Sequence, residues 1–223
     1  ITITVAEVNL PPTLDPIANQ TVNEGELLTL TLTAGDSDVP VQNLSFGLDS
    51  GPDGMTVDAG TGVLKWTPTE GQGPGDYPVT VSVTDDGAPP QKSTQGFTVT
   101  VNEVNTAPVL SPIGNKSTAE ETALTFTVSA SDDDLPAQTL TYSMTGAPTG
   151  ATLDGSTGAF SWTPTEAQSP SETQVTFVVT DDGDPALSAQ ETITITVTNT
   201  NKAPVLSPIG NKSTAEETAL TFT

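Results

Sequence analysis

A repeat of 96 residues constrains this chain more than any other feature of its sequence. The stretches that begin at Asn9, Asn105 and Asn201 resemble one another, and residues 107–127 and 203–223 are identical. A unit of this size is typical of one sandwich domain. We therefore divide the chain into the last strand of a preceding repeat (1–8), repeat 1 (9–104), repeat 2 (105–200) and the first strands of a further repeat (201–223). We expect either a segment of a longer array or a subunit whose terminal pieces pair between copies.

Alternation of apolar residues with Thr predicts strands throughout both repeats. In repeat 1 the runs at 27–34, 76–84 and 96–101 alternate, and turn residues separate them. The chain contains 41 Thr, 19 Gly and 19 Pro, and no window shows a helical period of useful length. The sequence therefore predicts an all-β fold of tandem seven-stranded Greek-key β-sandwich domains, arranged end to end.

The composition excludes several classes of function. The chain has no Cys, His or Arg, and its 28 acidic residues give it a formal net charge of −23. Thiol and imidazole catalysis, Cys or His zinc sites and disulfides are excluded, and the acidity argues against nucleic-acid binding. No apolar run is long enough to cross a bilayer. We predict a segment that is not an enzyme, does not bind nucleic acid and is not inserted in a membrane.

An ordered set of short motifs recurs at the repeat spacing. It comprises NEGE, DSDVP or DDDLP, a D-x-x-T-G hairpin before WTPT, VTDDG and the linker VNEVNTAP. Together these motifs resemble the bacterial cadherin-like and "putative Ig" repeats of surface adhesins, including the dystroglycan-type cadherin-like group. The resemblance implies the fold of cadherin extracellular domains, Ca²⁺ between successive domains, and an extracellular, secreted or cell-surface protein. The linker departs from the D-x-N-D-N-x-P form of cadherins, and no D-R-E motif is present.

Acidic loops at recurring positions are the candidate functional residues. Ca²⁺ takes about six to eight oxygen ligands, and alternate loops of a sandwich gather at the same end. Between the repeats we predict a metal site formed by Glu24, Asn102, Glu103, Asn105, Asp132, Asp134, Asp181 and Asp182. Equivalent ligands are predicted at the N-terminal end of repeat 1 (Glu7, Asn9, Asp36, Asp38, Asp85, Asp86) and the C-terminal end of repeat 2 (Glu120, Asn199, Asn201). The alternative is that these residues are solvated and favoured in turns by their own hydrogen bonding.

Trp66 and Trp162 occupy equivalent positions in the strand-like segment before TPT. This position favours a core anchor, and a surface for stacking on sugar rings is the alternative interpretation.

The function predicted from these features is mechanical. We expect a structural repeat segment of an extracellular bacterial adhesin, stalk or filament, stiffened by Ca²⁺ at its domain junctions. Its predicted partners are neighbouring repeats of the same protein, with a homopolymeric filament formed by strand addition as one form of assembly. Two alternatives stay open: an adhesion module that binds a carbohydrate or a host protein, and an accessory region of a secreted enzyme.

Overall fold

The computed structural model describes Ile3 and residues 8–221, and each repeat in it forms a β-sandwich. Seven strands build each sandwich, and the first two strands are each broken into two segments. Repeat 1 contains β1 (Thr13–Leu14), β2 (Gln20–Asn23), β3 (Leu28–Thr31), β4 (Ala34–Gly35), β5 (Ser45–Ser50), β6 (Thr56–Val57), β7 (Val63–Trp66), β8 (Gly75–Thr84) and β9 (Lys92–Asn102). Repeat 2 contains β10 (Val109–Leu110), β11 (Lys116–Ala119), β12 (Leu124–Thr127), β13 (Ala130–Ser131), β14 (Thr141–Thr145), β15 (Thr152–Leu153), β16 (Ala159–Trp162), β17 (Ser171–Thr180) and β18 (Ser188–Thr198).

The two repeats have the same strand order. In repeat 1 one sheet has the order β2-β9-β8-β5 and the other β3-β7-β6, while β1 pairs with β4. In repeat 2 the corresponding sheets are β11-β18-β17-β14 and β12-β16-β15, with β10 paired to β13. The first long segment of each repeat runs parallel to the last strand, in the pairs β2 with β9 and β11 with β18. The prediction of tandem all-β sandwich domains is confirmed.

The alternating strands bury one face in the core of each sandwich. Val79 and Val81 in β8 are buried, as are Val175 and Phe177 at the equivalent positions in β17. Such alternation is what a half-buried strand requires, because successive side chains point to opposite faces of the sheet.

Both tryptophans lie inside these cores. Trp66 and Trp162 are 1% and 2% exposed. Their indole Nε1–H groups donate to the carbonyl oxygens of Asp53 and Thr149, at 3.1 and 3.2 Å. The core interpretation is therefore confirmed, and the sugar-stacking interpretation is wrong for these two side chains.

The loops that carry the acidic residues gather at the ends of each sandwich. In repeat 1 the loops after β4 and β8 lie at the N-terminal end, where Asp38 accepts the Leu10 N–H at 2.8 Å. The β2–β3 turn lies at the C-terminal end, where Glu24 accepts the Val104 N–H at 2.9 Å. A 3₁₀ turn, Glu70–Gln72, lies at this same end. Each sandwich therefore presents acidic side chains to the repeat that follows or precedes it.

The terminal segments lie outside the two sandwiches. Of the predicted strand at 1–8, only the exposed Ile3 and Val8 are described, and Glu7 lies outside the described residues. Residues 201–221 are exposed and carry no assigned strand, whereas residues 107–125, which are identical to 203–221, contribute β10, β11 and the start of β12. The four-part division of the chain stays a prediction. No helix among the described residues has the length and apolarity needed to cross a membrane.

Candidate cation site at the junction between the repeats

Glu24 is the best-buried acid that repeat 1 contributes to its junction with repeat 2, which we call the first junction. The tight turn after β2 places it there, and its side chain is 7% exposed. Its Oε1 accepts the Val104 N–H, while its buried Oε2 has no hydrogen-bond partner. Burial raises the pKa of Glu24 above its usual value, and the negative charge of Glu70 adds to this effect. One carboxylate oxygen is thus held in the junction without a proton donor.

Glu103 lies in the linker itself and is the most perturbed acid in the junction. Both of its carboxylate oxygens are buried and without a hydrogen-bond partner. Burial, followed by the charges of Glu24, Glu70 and Asp134, raises the pKa of Glu103 to about 7. Two like charges about 4 Å apart repel by about 1 kcal/mol in water and several-fold more near a protein surface. This carboxylate therefore lacks a compensating positive charge.

Glu70 completes this group of acids, and the sequence analysis missed it. It is the first residue of the 3₁₀ turn. One of its carboxylate oxygens lies within 4.8 Å of one oxygen of Glu24 and one of Glu103. Its Oε1 also accepts the N–H of Leu135 at 3.0 Å, which is a direct bond between the two repeats. The signal was a Glu directly after WTPT that recurs at the same position, as Glu166, in repeat 2.

Repeat 2 contributes Asp134 and Asp132 from the loop after β13. Asp134 is 2% exposed, and its Oδ2 accepts the Thr106 N–H at 2.8 Å, which fixes the linker against repeat 2. Asp132 Oδ1 accepts the Asp134 N–H at 3.1 Å, while its buried Oδ2 has no partner. One oxygen of Asp132 therefore shapes the loop, and the other is free to bind a cation.

Asp181 and Asn105, whose side chains contact each other, contribute further oxygen atoms on the repeat 2 side of the junction. Asp181 Oδ1 accepts N–H bonds from Gly183 and Leu187 at 3.1 and 2.9 Å, and a longer one from the Asn105 amide at 3.3 Å. Its buried Oδ2 has no partner. Burial, which raises the pKa of Asp181, is outweighed by these hydrogen bonds, so the pKa is lowered and the group is an anion at neutral pH.

Gln138 is a second residue that the sequence analysis missed. Its Nε2 donates to Asn105 Oδ1 and, at 3.0 Å, to Asp134 Oδ2. Its buried Oε1 has no partner. An uncharged side chain in a loop gives no electrostatic signal in the sequence, although Gln42 occupies the same position in repeat 1.

Two of the predicted ligands have other roles in the structure. The exposed Asn102 side chain donates to Asn23 Oδ1 at 3.1 Å, and its carbonyl accepts the Glu24 N–H at 3.1 Å. The exposed Asp182 accepts the Thr139 N–H at 2.7 Å and so ties two loops of repeat 2 together. Neither side chain joins the group of unpaired buried oxygens. The structure therefore brings together six of the eight predicted residues: Glu24, Glu103, Asn105, Asp132, Asp134 and Asp181.

The N-terminal end of repeat 1 reproduces the repeat 2 side of this site. Asn9 Nδ2 donates to Asp85 Oδ1 at 3.1 Å, and Asp38 N–H donates to Asp36 Oδ1 at 2.9 Å. Asp36 Oδ2 and Asp85 Oδ2 are buried without partners, as are their equivalents Asp132 and Asp181. Asp86, like Asp182, ties two loops together, through Asn43 N–H at 2.9 Å. The same ligand frame is thus built twice.

The C-terminal end of repeat 2, which we call the second junction, differs from the first. Glu120 is 3% exposed, and its Oε2 accepts a hydrogen bond from Asn199 Nδ2 at 3.1 Å. Lys202 Nζ lies 3.0 Å from Glu121 Oε2 and 3.5 Å from Glu166 Oε2. Asn201 is exposed. A lysine ammonium therefore stands near Glu166, whose counterpart Glu70 has no ion pair among the described residues, and near Glu121, whose counterpart is Gly25.

The first junction is chemically suited to a hard cation. It gathers carboxylate and amide oxygens from the turns of repeat 1, the linker and two loops of repeat 2, and Ca²⁺ prefers such ligands. The chain offers no thiol or imidazole for a softer metal.

A profile of one protein family matches both sandwiches. Its description is Putative Ig domain, and it covers residues 11–102 and 107–198. The chain belongs to the Putative Ig domain family. Together with the similarities described next, this match confirms the resemblance to cadherin-like and Ig-like repeats of surface adhesins.

The curated relatives of this Putative Ig domain chain are adhesins from Staphylococcus aureus. A "Serine-rich adhesin for platelets" of strain MRSA252 is 32% identical over 167 residues, which is 74% of this chain and 11% of that protein. Its counterpart in strain USA300 is 33% identical over 151 residues, which is 67% of this chain and 6% of that protein. The chain therefore spans a small part of the length of these relatives.

Solved cadherin structures share the fold of these two Putative Ig domains. Protocadherin Gamma B2 extracellular cadherin domains 1–5 match with a TM-score of 0.58 at 20% identity, covering 88% of this chain and 42% of that one. Mouse Cadherin-23 EC22–24 matches with a TM-score of 0.54 at 22% identity, covering 87% and 67%. Drosophila N-cadherin EC1–4 matches with a TM-score of 0.57 at 16% identity, covering 86% and 50%. The chain thus has the fold of tandem cadherin domains.

Proposed function

We propose that this chain is a structural segment of an extracellular bacterial surface adhesin, in which Ca²⁺ at the junctions stiffens the array of repeats. The observation that carries the proposal is the set of buried, unpartnered carboxylate oxygens at the first junction. They belong to Glu24 and Glu103 on one side, and to Asp132 and Asp181 on the other. A buried anion without a partner is costly, and a bound cation removes that cost.

Ca²⁺ is favoured over Mg²⁺ by the number and kind of oxygens. Besides the carboxylates, the amide oxygens of Gln138 and Asn105 lie at the junction, and that of Gln138 is buried and unpartnered. Ca²⁺ accepts such large and irregular oxygen shells, whereas Mg²⁺ demands near-octahedral geometry and keeps several waters. We expect millimolar Ca²⁺, as found outside cells, to saturate the site.

The mechanical consequence follows from where the ligands come from. A cation held by the turns of repeat 1, the linker and the loops of repeat 2 removes hinge motion between the sandwiches. Short interdomain linkers otherwise leave such motion free. The bond from Leu135 N–H to Glu70 is one direct bond across the junction, and a bridging ion adds several more. The proposed role is non-enzymatic, and the number of repeats sets the length of the stalk.

The experiment is a thermal melt of the chain in about 2 mM Ca²⁺, in equal Mg²⁺ and in excess EGTA. We expect Ca²⁺ to raise the Tm relative to EGTA by at least roughly 4 °C, since about 1 kcal/mol shifts a domain of this size by that much. Small-angle X-ray scattering on the same samples should show a longer and more uniform particle in Ca²⁺.

Two substitutions in one loop provide the matched control. Asp134→Asn removes the charge of a buried acid, whereas Asp133→Asn removes an equal charge from the exposed neighbouring residue. We expect the difference in Tm between Ca²⁺ and EGTA to shrink greatly in the first variant and to persist in the second. A wild-type chain with no Ca²⁺-specific shift would sink the proposal.

Direct adhesion is a second candidate function, favoured by the similarity to adhesins that are named for platelets. Because both tryptophans are buried, the binding surface would have to be formed by loops or by the exposed Thr-rich faces of the sheets. Binding of the purified chain to immobilised human platelets, compared with binding to albumin, tests this role. The chain covers 11% of the first of these relatives, so an absence of binding would leave adhesion to other parts of such a protein.

Assembly by strand addition between copies stays a prediction. Residues 203–223 repeat the sequence of 107–127, which forms β10, β11 and β12 in repeat 2. A donated copy of this segment would therefore carry the right pattern for a sandwich lacking its first strands. Light scattering after size-exclusion chromatography should reveal concentration-dependent oligomers, and a strictly monomeric chain would count against this assembly.

A further inference from the structure

The second junction is built on the same frame as the first, but its charges differ. Glu120 and Glu166 occupy the positions of Glu24 and Glu70. Several neighbouring positions change between the two junctions, among them Gly25 to Glu121, Gly73 to Ser169, Glu103 to Asn199, and Thr106 to Lys202. Two of these changes, in the linker, replace an acid with an amide and a hydroxyl with an ammonium.

The substituted side chains contact the acids of the second junction. Lys202 Nζ lies 3.0 Å from Glu121 Oε2 and 3.5 Å from Glu166 Oε2. Asn199 Nδ2 donates to Glu120 Oε2 at 3.1 Å. In the first junction Glu103, at the position of Asn199, donates no bond and adds a further negative charge. The chain itself therefore supplies the second junction with donors and a positive charge.

The change from Gly73 to Ser169 points the same way. A Cβ atom at Gly73 would clash with Oε2 of Glu24, so the first junction requires a glycine there if this carboxylate is to keep its position. Repeat 2 has Ser169 at that position, so a carboxylate placed as Glu24 is would meet the serine side chain. Of the two Glu120 oxygens, Oε2 accepts the bond from Asn199 and Oε1 is buried without a partner.

We propose that the second junction carries its own cation, the ammonium of Lys202, and binds divalent cations more weakly than the first junction. This inference rests on the proposed function of the first junction. A Ca²⁺ ion at the second junction would meet one acid fewer in the linker and a positive charge beside Glu166. An ammonium supplies three donors and no coordination shell, so it neutralises the acids without locking two domains together. An array with such a junction keeps one hinge that Ca²⁺ does not stiffen.

The test places the linker residues Asn199 and Lys202 of the second junction at the equivalent positions of the first junction. In the first junction both repeats contribute acidic side chains. In the variant Glu103→Asn/Thr106→Lys, isothermal titration calorimetry with CaCl₂ should show an affinity at least tenfold weaker than in the wild type. The Tm in EGTA should stay the same or rise, because the transplanted ammonium relieves repulsion among the acids. Thr106→Gln is the matched control: it removes the same hydroxyl, which donates to Asp134 Oδ1, without adding charge, and it should lose clearly less Ca²⁺ affinity than the double variant.

The outcomes separate this inference from the proposed function. If the wild type binds Ca²⁺ and the double variant binds it equally well, the inference is overturned while the stiffened first junction stands. If the wild type gives no Ca²⁺ binding, both are overturned. Should the double variant unfold in EGTA, the single variant Thr106→Lys is titrated with CaCl₂ instead. Weaker binding than in the wild type then supports the inference, and equal binding overturns it.

Discussion

The two junctions share a backbone frame, but they meet the cost of clustered acids in different ways. At the first junction Glu103 is buried without a donor, and its pKa rises to about 7. At the second, Asn199 donates to Glu120, and Lys202 lies beside Glu166. The turns and strands that carry these acids are the same, so the linker side chains differ on a common frame, while among the described residues only the first junction has a following sandwich, whose Asp134 adds its charge. If the junctions bind Ca²⁺ as proposed, local charge balance rather than the fold sets the affinity, and it can vary from one junction of an array to the next.

The strongest test of the difference between the junctions removes one equivalent acid from each of them. Glu24→Gln should weaken Ca²⁺ binding at least tenfold, or about 1.4 kcal/mol, because it removes an oxygen that has no other partner. In EGTA the same variant should melt at a higher temperature than the wild type, because repulsion falls. Glu120→Gln should change neither the Ca²⁺ affinity of the first junction nor the Tm in EGTA by a comparable amount.

Calorimetric titration and melts of these two variants measure the effect, each variant serving as the control for the other. Equal losses of Ca²⁺ affinity in both would show that the junctions are not distinct. A lower Tm for Glu24→Gln in EGTA would show that its bond with Val104 N–H outweighs the repulsion.

A second prediction uses pH on the Ca²⁺-free chain. Burial and the charges of Glu24, Glu70 and Asp134 raise the pKa of Glu103 from 4.5 to about 7. Between these two pH values the folded chain keeps the Glu103 proton, whereas the unfolded chain has lost it. Stability is therefore highest below the unfolded pKa and falls as the pH rises through the folded pKa. From about pH 5 to pH 7.5 the Tm in EGTA should fall by roughly 4 °C.

Glu103→Gln is the control for this pH dependence. It should flatten the curve, and saturating Ca²⁺ should flatten the wild-type curve because the ion replaces the proton. A Tm that rises from about pH 5 to pH 7.5 in EGTA would have the opposite sign to that required by a raised pKa.

A smaller effect is expected from moving the serine of the second junction into the first. In Gly73→Ser the new Cβ would displace Glu24 Oε2, so Ca²⁺ affinity should fall several-fold while both sandwiches stay folded. Gly71→Ser lies in the same 3₁₀ turn, where a Cβ meets nothing within 4 Å, and should leave the affinity unchanged. If both variants bind Ca²⁺ like the wild type, Ca²⁺ affinity does not depend on the space that Gly73 leaves for Glu24.

The extent to which sequence predicted these features differs between the cores and the junctions. Alternation identified the strands and the buried Trp66, because the period of a strand fixes which side chains face inward. The Asp loops could be assigned to the junctions because alternate loops share an end. Glu70 was missed because it follows WTPT as a single acid outside the acidic clusters, and a 3₁₀ turn carries it to the site. Asn102 was included although it ends a strand with its side chain facing solvent, and only coordinates reveal that orientation.

The smallest predicted effect concerns the lysine of the second junction. The side chains of Lys202 and Glu121 are 46% and 60% exposed, and exposed ion pairs contribute little to stability. Lys202→Gln should therefore lower the Tm by no more than a few degrees, and the loss should vanish at about 1 M NaCl, where screening is strong. Lys212→Gln is the matched control, because Lys212 is exposed and has no ion pair among the described residues. A loss that persists in high salt would mean that Lys202 contributes packing rather than charge, and the contrast between the junctions would then rest on Asn199 alone.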